Sequence, residues 1–361
     1  MTFSLCMIVR NEERTLKRCL DSVAGVFDEI VIVDTGSADR TKVVAKAYTD
    51  KVYDFAWCDD FSAARNFSFS KAVCDYIMWL DADDVLSEEN RNKLIELKNK
   101  ISPEIDVVMM KYAISFDGAG NPTYYYYRER LVKRLGGFMW NGFVHEVITP
   151  KGNVIYEDIC VYHFPDSRRR KDPARNLKLY EKMVASGVKL SARQTYYYGR
   201  ELYYNGKYDL AAKHLESFLG FPGAWYADKI GACVMLYEIY ENSFPERARE
   251  IIAKALSYET VNPQVLCLMG DSHKRAGSYE QAIFWYNAAL GCPEQYRQAG
   301  FILPEYEKYY PYLQMCVCYD RLGKIDKAKE CNRLAGEINP LSSQVKYNND
   351  YFASLEKKQQ E

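Results

Sequence analysis

Residues 75–84 read DYIMWLDADD, an apolar run that ends in three carboxylates within four positions, Asp81, Asp83 and Asp84. A hard divalent cation needs only one or two carboxylates when phosphate oxygens and water complete its shell. This stretch therefore suits a cation held beside a phosphate; the same acids also suit a strand-to-helix turn whose carboxylates cap backbone N–H groups. Other polar groups follow apolar runs in the same way: Asn11 and Glu12 after FSLCMIV, and Asp34 at the end of EIVIVD. The glycine fingerprints of dinucleotide and P-loop sites are absent, which counts against nicotinamide chemistry and P-loop hydrolysis. No cysteine pairs with a histidine in a pattern that suggests a covalent nucleophile.

The elements that must position these groups alternate. Phe3 to Val9 reads as a strand, Glu12 to Val23 as a helix, EIVIVD as a strand, 35–39 as a turn and Arg40 to Tyr48 as a helix. VYDF at 52–55 and DYIMWLD at 75–81 are further strands. The alternation predicts an α/β fold with a largely parallel sheet covered by helices, whose strand ends line one crevice. From Asp106 to about His163 the strand-like DVVMMKYAISF, YYYYRERLVKR and VIYEDICVYHF extend the sheet toward an acceptor side. The basic run RRRK at 168–171 and Pro173 read as an exit into another unit.

Beyond about residue 190 the pattern is helical and repetitive. GKYDLAAKHLESFL from Gly206, NSFPERAREIIAKAL from Asn242, GSYEQAIFWYNAAL from Gly277 and GKIDKAKECNRLAG from Gly323 share a turn and then a helix. Ala248 and Ala282 stand 34 residues apart, the period of a helix-turn-helix repeat, while Ala282 to Ala328 is 46 and leaves an insertion of 12. The repeats resemble tetratricopeptide repeats. Most of the many tyrosines there are expected between helices; the insertion carrying Tyr296, Phe301, Tyr306, Tyr309 and Tyr310 is a candidate for dimer or acceptor contacts.

Composition narrows the class. The 361 residues carry 48 Lys+Arg against 49 Asp+Glu, a net charge of -1, which disfavours a nonspecific nucleic-acid binder. A 48% hydrophobic content disfavours general disorder. Eleven cysteines without a C-x-x-C pair point to a reducing cytoplasm and away from structural zinc. The amino-terminal apolar run is too short for a signal peptide or a span, so the chain is expected in the cytoplasm, with work at the inner face of the membrane left open.

Residues 1 to about 163 resemble a family 2 glycosyltransferase of the GT-A fold, on SLCMIVRNEE, IVIVDTGSADRT, WCDDFSAARNFS, WLDADD and WNGFVHE in this order. The resemblance implies a GT-A nucleotide-sugar-binding domain over 1–172, a connecting helix over 173–189 and the helical repeat domain over 190–361. It also implies inverting transfer of a sugar from a nucleotide-diphosphate donor, UDP by family breadth, assisted by Mg²⁺ or Mn²⁺. On that reading Asn11, Glu12 and Asp34 border the nucleotide, and Asp60, Arg65 and Asn66 close over the donor. A fixed guanidinium at Arg65 can meet two oxygens at once. Asp81 lies toward the ribose, Asp83 holds the metal, and His145 or His163 supplies another ligand. Glu146 is the expected acceptor base, with Asp84 as its competitor. Trp140 is either a wall against the sugar or core, and Arg128, Arg130 and Arg134 either touch phosphate or lie on a solvated strand. Relatives with similar organisation include bacterial peptide S-glycosyltransferases and lipopolysaccharide-core glycosyltransferases. A polypeptide acceptor is the favoured expectation, a surface glycan or glycolipid the alternative, a nucleotide-sugar-sensing scaffold a third, and a homodimer through the helices is left open.

Overall fold

The computed structural model describes residues 1–166, 168, 172–258 and 261–360, with side chains to 356, and divides into units 1–189 and 190–361. Most of the basic run at 168–171 lies outside the described residues.

The first unit runs β1 (Phe3–Val9), α1 (Leu16–Ser22), β2 (Glu29–Asp34), α2 (Thr41–Lys46), β3 (Val52–Asp54), α3 (Phe61–Phe69), β4 (Tyr76–Trp79) and β5 (Asp84–Val85). It continues with α4 (Glu88–Lys100), β6 (Val107–Phe116), β7 (Pro122–Lys133), β8 (Trp140–Asn141), β9 (Val147–Ile148), β10 (Val154–His163) and α5 (Arg175–Ala185). Eight strands form one sheet in the order β3-β2-β1-β4-β7-β6-β10-β5, and β8 and β9 pair separately. The first four positions are parallel, as the alternating pattern requires; beyond β4 the sheet is mixed, because β7 runs antiparallel to both β4 and β6 and β5 antiparallel to β10.

Both faces of this sheet are covered, which explains why β1 is an uninterrupted apolar run. Its alternate residues Phe3, Leu5, Met7 and Val9 face a core with Leu16 and Leu20 of α1 and Leu94 and Leu97 of α4. Cys6 faces the other way, into a second core with Val31, Phe69, Trp79 and Trp140. The period of two along the strand thus splits one sequence run between two hydrophobic layers.

Two helices that matter here escaped the apolar-run reading. α3 begins at Asp60, whose side chain accepts the Ala63 N–H, and α4 begins at Ser87, which accepts that of Asn90. α4 also carries Glu88 and Glu89 in its first turn and Lys98 and Lys100 in its last, matching the charges of its own dipole. Capping and end charge were the available signals for both.

In the second unit α6 (Ala192–Tyr204), α7 (Tyr208–Leu219), α8 (Tyr226–Tyr240), α9 (Pro245–Ala255), α10 (Pro263–Arg275), α11 (Tyr279–Leu290), α12 (Tyr309–Arg321), α13 (Ile325–Ile338) and α14 (Ser343–Gln360) pack in succession. Each repeated segment is the second helix of a hairpin, and its in-phase alanine is the packing position: Ala211, Ala248, Ala282 and Ala328 are all at most 1% exposed. Small residues on first helices let the partner approach; a Cβ at Gly270 in α10 would meet the Tyr286 ring of α11 at 2.6 Å. Among the described residues no helix is long and apolar enough to cross a membrane, and all eleven cysteines are free thiols.

Gly270→Ala is expected to destabilise the protein by about 1–3 kcal/mol, the usual cost of overpacking a close contact. Urea denaturation followed by circular dichroism measures it, and an unchanged midpoint would contradict the close α10–α11 approach.

Candidate active site

The site is built where β4 runs out. Trp79 ends the strand, and the chain turns so that Asp84 N–H donates to the Asp81 carbonyl and Asp81 N–H to Asp84 Oδ2 at 3.0 Å. β5 then pairs with the end of β10, and this register sets His163 directly opposite Asp84. That two-residue bridge brings together groups far apart in sequence. His163 Nδ1 lies 3.4 Å from Asp83 Oδ1 and 3.7 Å from Asp84 Oδ1 and contacts the Tyr112 hydroxyl at 2.9 Å.

Arg65 projects from α3 into the same region. Its Nη2 donates to Asp81 Oδ1 and its Nε to Glu146 Oε1, both at 2.7 Å, so one guanidinium clamps carboxylates from two distant segments. It sits 5.0 Å from the Trp79 ring and 4.7 Å from that of Trp140. Burial works against charge on Asp81, yet the guanidiniums of Arg65 and Arg130 outweigh it and hold its carboxyl down at about 2.

Arg130 departs most from expectation. Its strand position suggested a solvated or ligand-facing cation, but it is fully buried, stacked 3.8 Å from the Trp79 ring, with Nη1 donating to Asp84 Oδ2 at 3.0 Å and to the Trp79 carbonyl. The cause is a β-bulge: Leu131 pairs with Val108 and Glu129 with Met109, leaving Arg130 as the extra residue turned inward. Arg128 is also drawn in, 4.7 Å from Trp79 and bonded to Glu129. Arg134 instead donates to the Cys74 carbonyl.

The geometry gives several of the expected site residues contacts within the protein's own framework. Asp84 has no exposed surface and is committed to Arg130, so it orients the site and does not face an acceptor as a base. Asn66 spends both ends of its amide on the Trp140 backbone, at 3.0 and 2.8 Å, and pins β8 to α3 in place of closing over a donor. Asp60 caps α3. Trp140 is 2% exposed and packs edge-on against Trp79, so it is core. His145 stacks with Tyr180 of α5, whereas the group able to hold a cation among the described residues is Asp83, Asp84 and His163.

Asp34 closes β2, and its Oδ1 accepts the Gly36 and Ser37 N–H groups. The Asn11 side chain accepts from Ala38 N–H, and Glu12 N–H donates to Thr41 Oγ1, lacing the first two strand-end loops together. β2, β1 and β4 are parallel neighbours, so Asp34 and the Asp81 turn share one edge of the sheet, two strand spacings or roughly 10 Å apart. Two buried oxygens at this edge have no hydrogen-bond partner, Asp34 Oδ2 and Asp84 Oδ1. Such orphans are uncommon in a folded protein, and these two leave hydrogen-bonding capacity at this edge. Asp84 Oδ1, together with Asp83 and His163, fits a divalent cation by both donor type and placement.

Residues 4–150 match the family profile described as Glycosyl transferase family 2. Over that span the first unit is similar to family 2 glycosyltransferase domains. Its curated relatives include the glycosyltransferase SunS, SPbeta prophage-derived, of Bacillus subtilis, 28% identical over 60% of this chain and 52% of that protein. Another is the TPR repeat-containing protein Synpcc7942_0270 of Synechococcus elongatus, 51% identical over 23% of this chain and 21% of its own length. This chain spans about half or less of the length of these relatives. Among solved structures, S. aureus TarS 1–349 aligns over 81% of this chain and 92% of that one at 14% identity with a TM-score of 0.36, a likeness too low to place any residue. The family 2 domain and the helical repeats agree with the resemblance read from the sequence.

The depressed Asp81 carboxyl makes a pH prediction. Its pairing contributes stability that is complete above the ordinary carboxylate value of 3.8 and is lost as pH falls through about 2. The Tm of the wild type should therefore drop between about pH 4 and pH 2, and Asp81→Asn should flatten that part of the curve. Parallel curves for the two proteins would contradict the assigned charge on Asp81.

Proposed function

We propose that the protein transfers a sugar from a nucleotide-diphosphate donor, UDP-linked, to a nucleophilic side chain of a polypeptide, with inversion at the anomeric carbon. The observation that carries this reading is the convergence of Asp83, the unpartnered oxygen of Asp84 and His163 beside an Asp81–Arg65–Glu146 clamp, inside a family 2 domain. The orphan oxygen of Asp34 suits a donor group of the nucleotide base or ribose. Asp83, Asp84 and His163 would hold Mg²⁺ or Mn²⁺, which would supply positive charge to offset that of the departing diphosphate. Asp81, kept anionic by Arg65, lies beside the ribose.

Glu146 is the base. Arg65 engages its Oε1, so Oε2 is the oxygen offered to the acceptor proton. The acceptor oxygen or sulfur forms its bond to the anomeric carbon as the bond from that carbon to the diphosphate oxygen breaks, and the acceptor proton passes to Glu146. The polypeptide acceptor draws its support from the helical repeats, which offer extended faces to a chain.

Mass spectrometry of nucleotide sugars incubated with mixed peptide and glycan acceptors, with and without Mn²⁺, tests the reading. A modified peptide is the expected product; a modified glycan would replace the acceptor assignment, and no product with any donor would sink the activity. Asp83→Ala should abolish transfer and Mn²⁺ binding while preserving the fold, since the Asp83 backbone carbonyl that accepts the Phe164 N–H is unchanged by the substitution. Glu146→Gln keeps an oxygen for Arg65 and should lower kcat by about 10²-fold or more with donor affinity retained; wild-type turnover would remove it as the base.

A further inference from the structure

Among the described residues, three that are not glycine hold a left-handed backbone: Asn11 at φ +56°, Asp59 at φ +60° and His145 at φ +53°. A side chain makes this conformation costly, so the surroundings must enforce it. Asn11 is enforced within its own edge of the sheet, through the bonds to Ser37 and Ala38. The other two lie in different segments, yet α5 touches both. Lys182 Nζ donates to Asp59 Oδ2, and the Tyr180 ring lies 19° from parallel to the His145 imidazole with centroids 6.3 Å apart. A third contact sets the Arg175 guanidinium 5.4 Å from the Phe61 ring.

Each strained position stands just ahead of a working one. Asp59 precedes Asp60, the cap of α3, so its backbone sets the direction of the helix that carries Arg65. His145 precedes Glu146 in the loop 142–146, which joins β8 to β9. The other end of that loop is pinned to α3, where Phe61 N–H donates to the Phe143 carbonyl at 3.2 Å and Ser62 Oγ to that of Gly142. One helix therefore contacts both segments that meet in the 2.7 Å bond between Arg65 and Glu146. Its two main contacts are unequal. Tyr180 has no exposed surface, whereas the side chains of Lys182 and Asp59 are 69% and 47% exposed, so the ring holds more firmly than the solvated ion pair.

We infer that α5 is a strap across the Arg65–Glu146 clamp, and that Tyr180 is a positioning residue: it holds the backbone at His145 in its left-handed conformation and so aims the Glu146 carboxylate. Lys182 does the same, more weakly, for the start of α3 at Asp59. Without the Tyr180 ring, His145 relaxes toward negative φ, the loop turns, and Glu146 Oε2 loses the placement it offers to an acceptor. The importance of that aim for transfer rests on the reading of Glu146 as the base; the strap itself rests only on contacts within residues 1–189.

The test uses the full chain and hydrogen exchange followed by mass spectrometry. Tyr180→Leu should speed amide exchange in 142–148 by about 10-fold or more while β1, β2 and β4 keep wild-type rates, and Tyr180→Phe, which keeps the ring, should exchange like the wild type. Unchanged exchange in 142–148 of Tyr180→Leu, or an equal rise in Tyr180→Phe, would overturn the inference. Should Tyr180→Leu exchange faster across the whole first unit, the partly exposed partner serves instead: His145→Leu should loosen 142–148, His145→Phe should not, and equal behaviour of the two would overturn the inference. Turnover adds a second readout. Tyr180→Leu should lower kcat by about 10- to 100-fold at unchanged donor KM, as expected when a reacting group is misplaced; a raised donor KM at unchanged kcat would overturn the positioning role. Absence of turnover in the wild type would count against the sugar-transfer reading, and the exchange result would still decide the strap.

Discussion

Two buried guanidiniums and a half-buried one, arranged around one indole, hold the candidate active site in place. Arg65, Arg128 and Arg130 lie 5.0, 4.7 and 3.8 Å from the Trp79 ring. The ring face attracts each cation, but three positive charges so close together would expel one another without anions. Asp81 and Glu146 balance Arg65, Glu129 balances Arg128, and Asp84 balances Arg130. Removing one member of a buried pair typically costs about 3–5 kcal/mol because the other charge is left stranded. The carboxylates are thereby fixed in place, and the guanidiniums beside Asp81 and Glu129 hold those two carboxyls below their ordinary values. Electrostatic catalysis depends on such advance placement, since nothing needs to reorganise while charge develops.

The parts of this arrangement that follow a simple period could be read from the sequence. β1, β2 and β4 announce themselves as apolar runs because both of their faces are buried, and each ends in the polar groups that define the crevice. The repeat phase was equally legible, since an alanine recurs wherever two helices touch. What stayed hidden depends on single-residue departures from period. The bulge leaves Arg130 without a partner in the β6–β7 register, and no local composition marks it. β5 is two residues long, too short for any pattern, yet it alone brings His163 to Asp84. With that bridge invisible, His145 and His163 were indistinguishable as ligands, and Asp84 could pass for an acceptor-facing acid.

The same logic separates residues that touch a substrate from those that hold the site. Asn66, Asp60 and Trp140 occur in motifs typical of the family, and each is occupied by the protein's own framework: an amide spent on a backbone, a helix cap, a packed indole. Motif membership marks a region of the fold, and hydrogen-bond accounting then decides which of its side chains still have capacity for a ligand.

Among the atoms that accounting leaves without hydrogen-bond partners are two carboxylate oxygens at one edge of the sheet, Asp34 Oδ2 and Asp84 Oδ1, along with Nε and Nη2 of the neighbouring Arg130. An unsatisfied buried acceptor costs about 1–3 kcal/mol, and a carboxylate oxygen stands toward the upper end. The framework does not relieve either atom by turning it outward, because Oδ1 of Asp34 is held by two backbone N–H groups and Oδ2 of Asp84 by Arg130 and the Asp81 N–H. The neighbours that fix each acid therefore leave its second oxygen with capacity for an added donor or cation. One orphan suits the N–H and O–H groups of a nucleoside, and the other suits a metal ion shared with Asp83 and His163. A donor N–H or a cation placed at these oxygens would remove that cost, so a ligand bound there would also stabilise the fold.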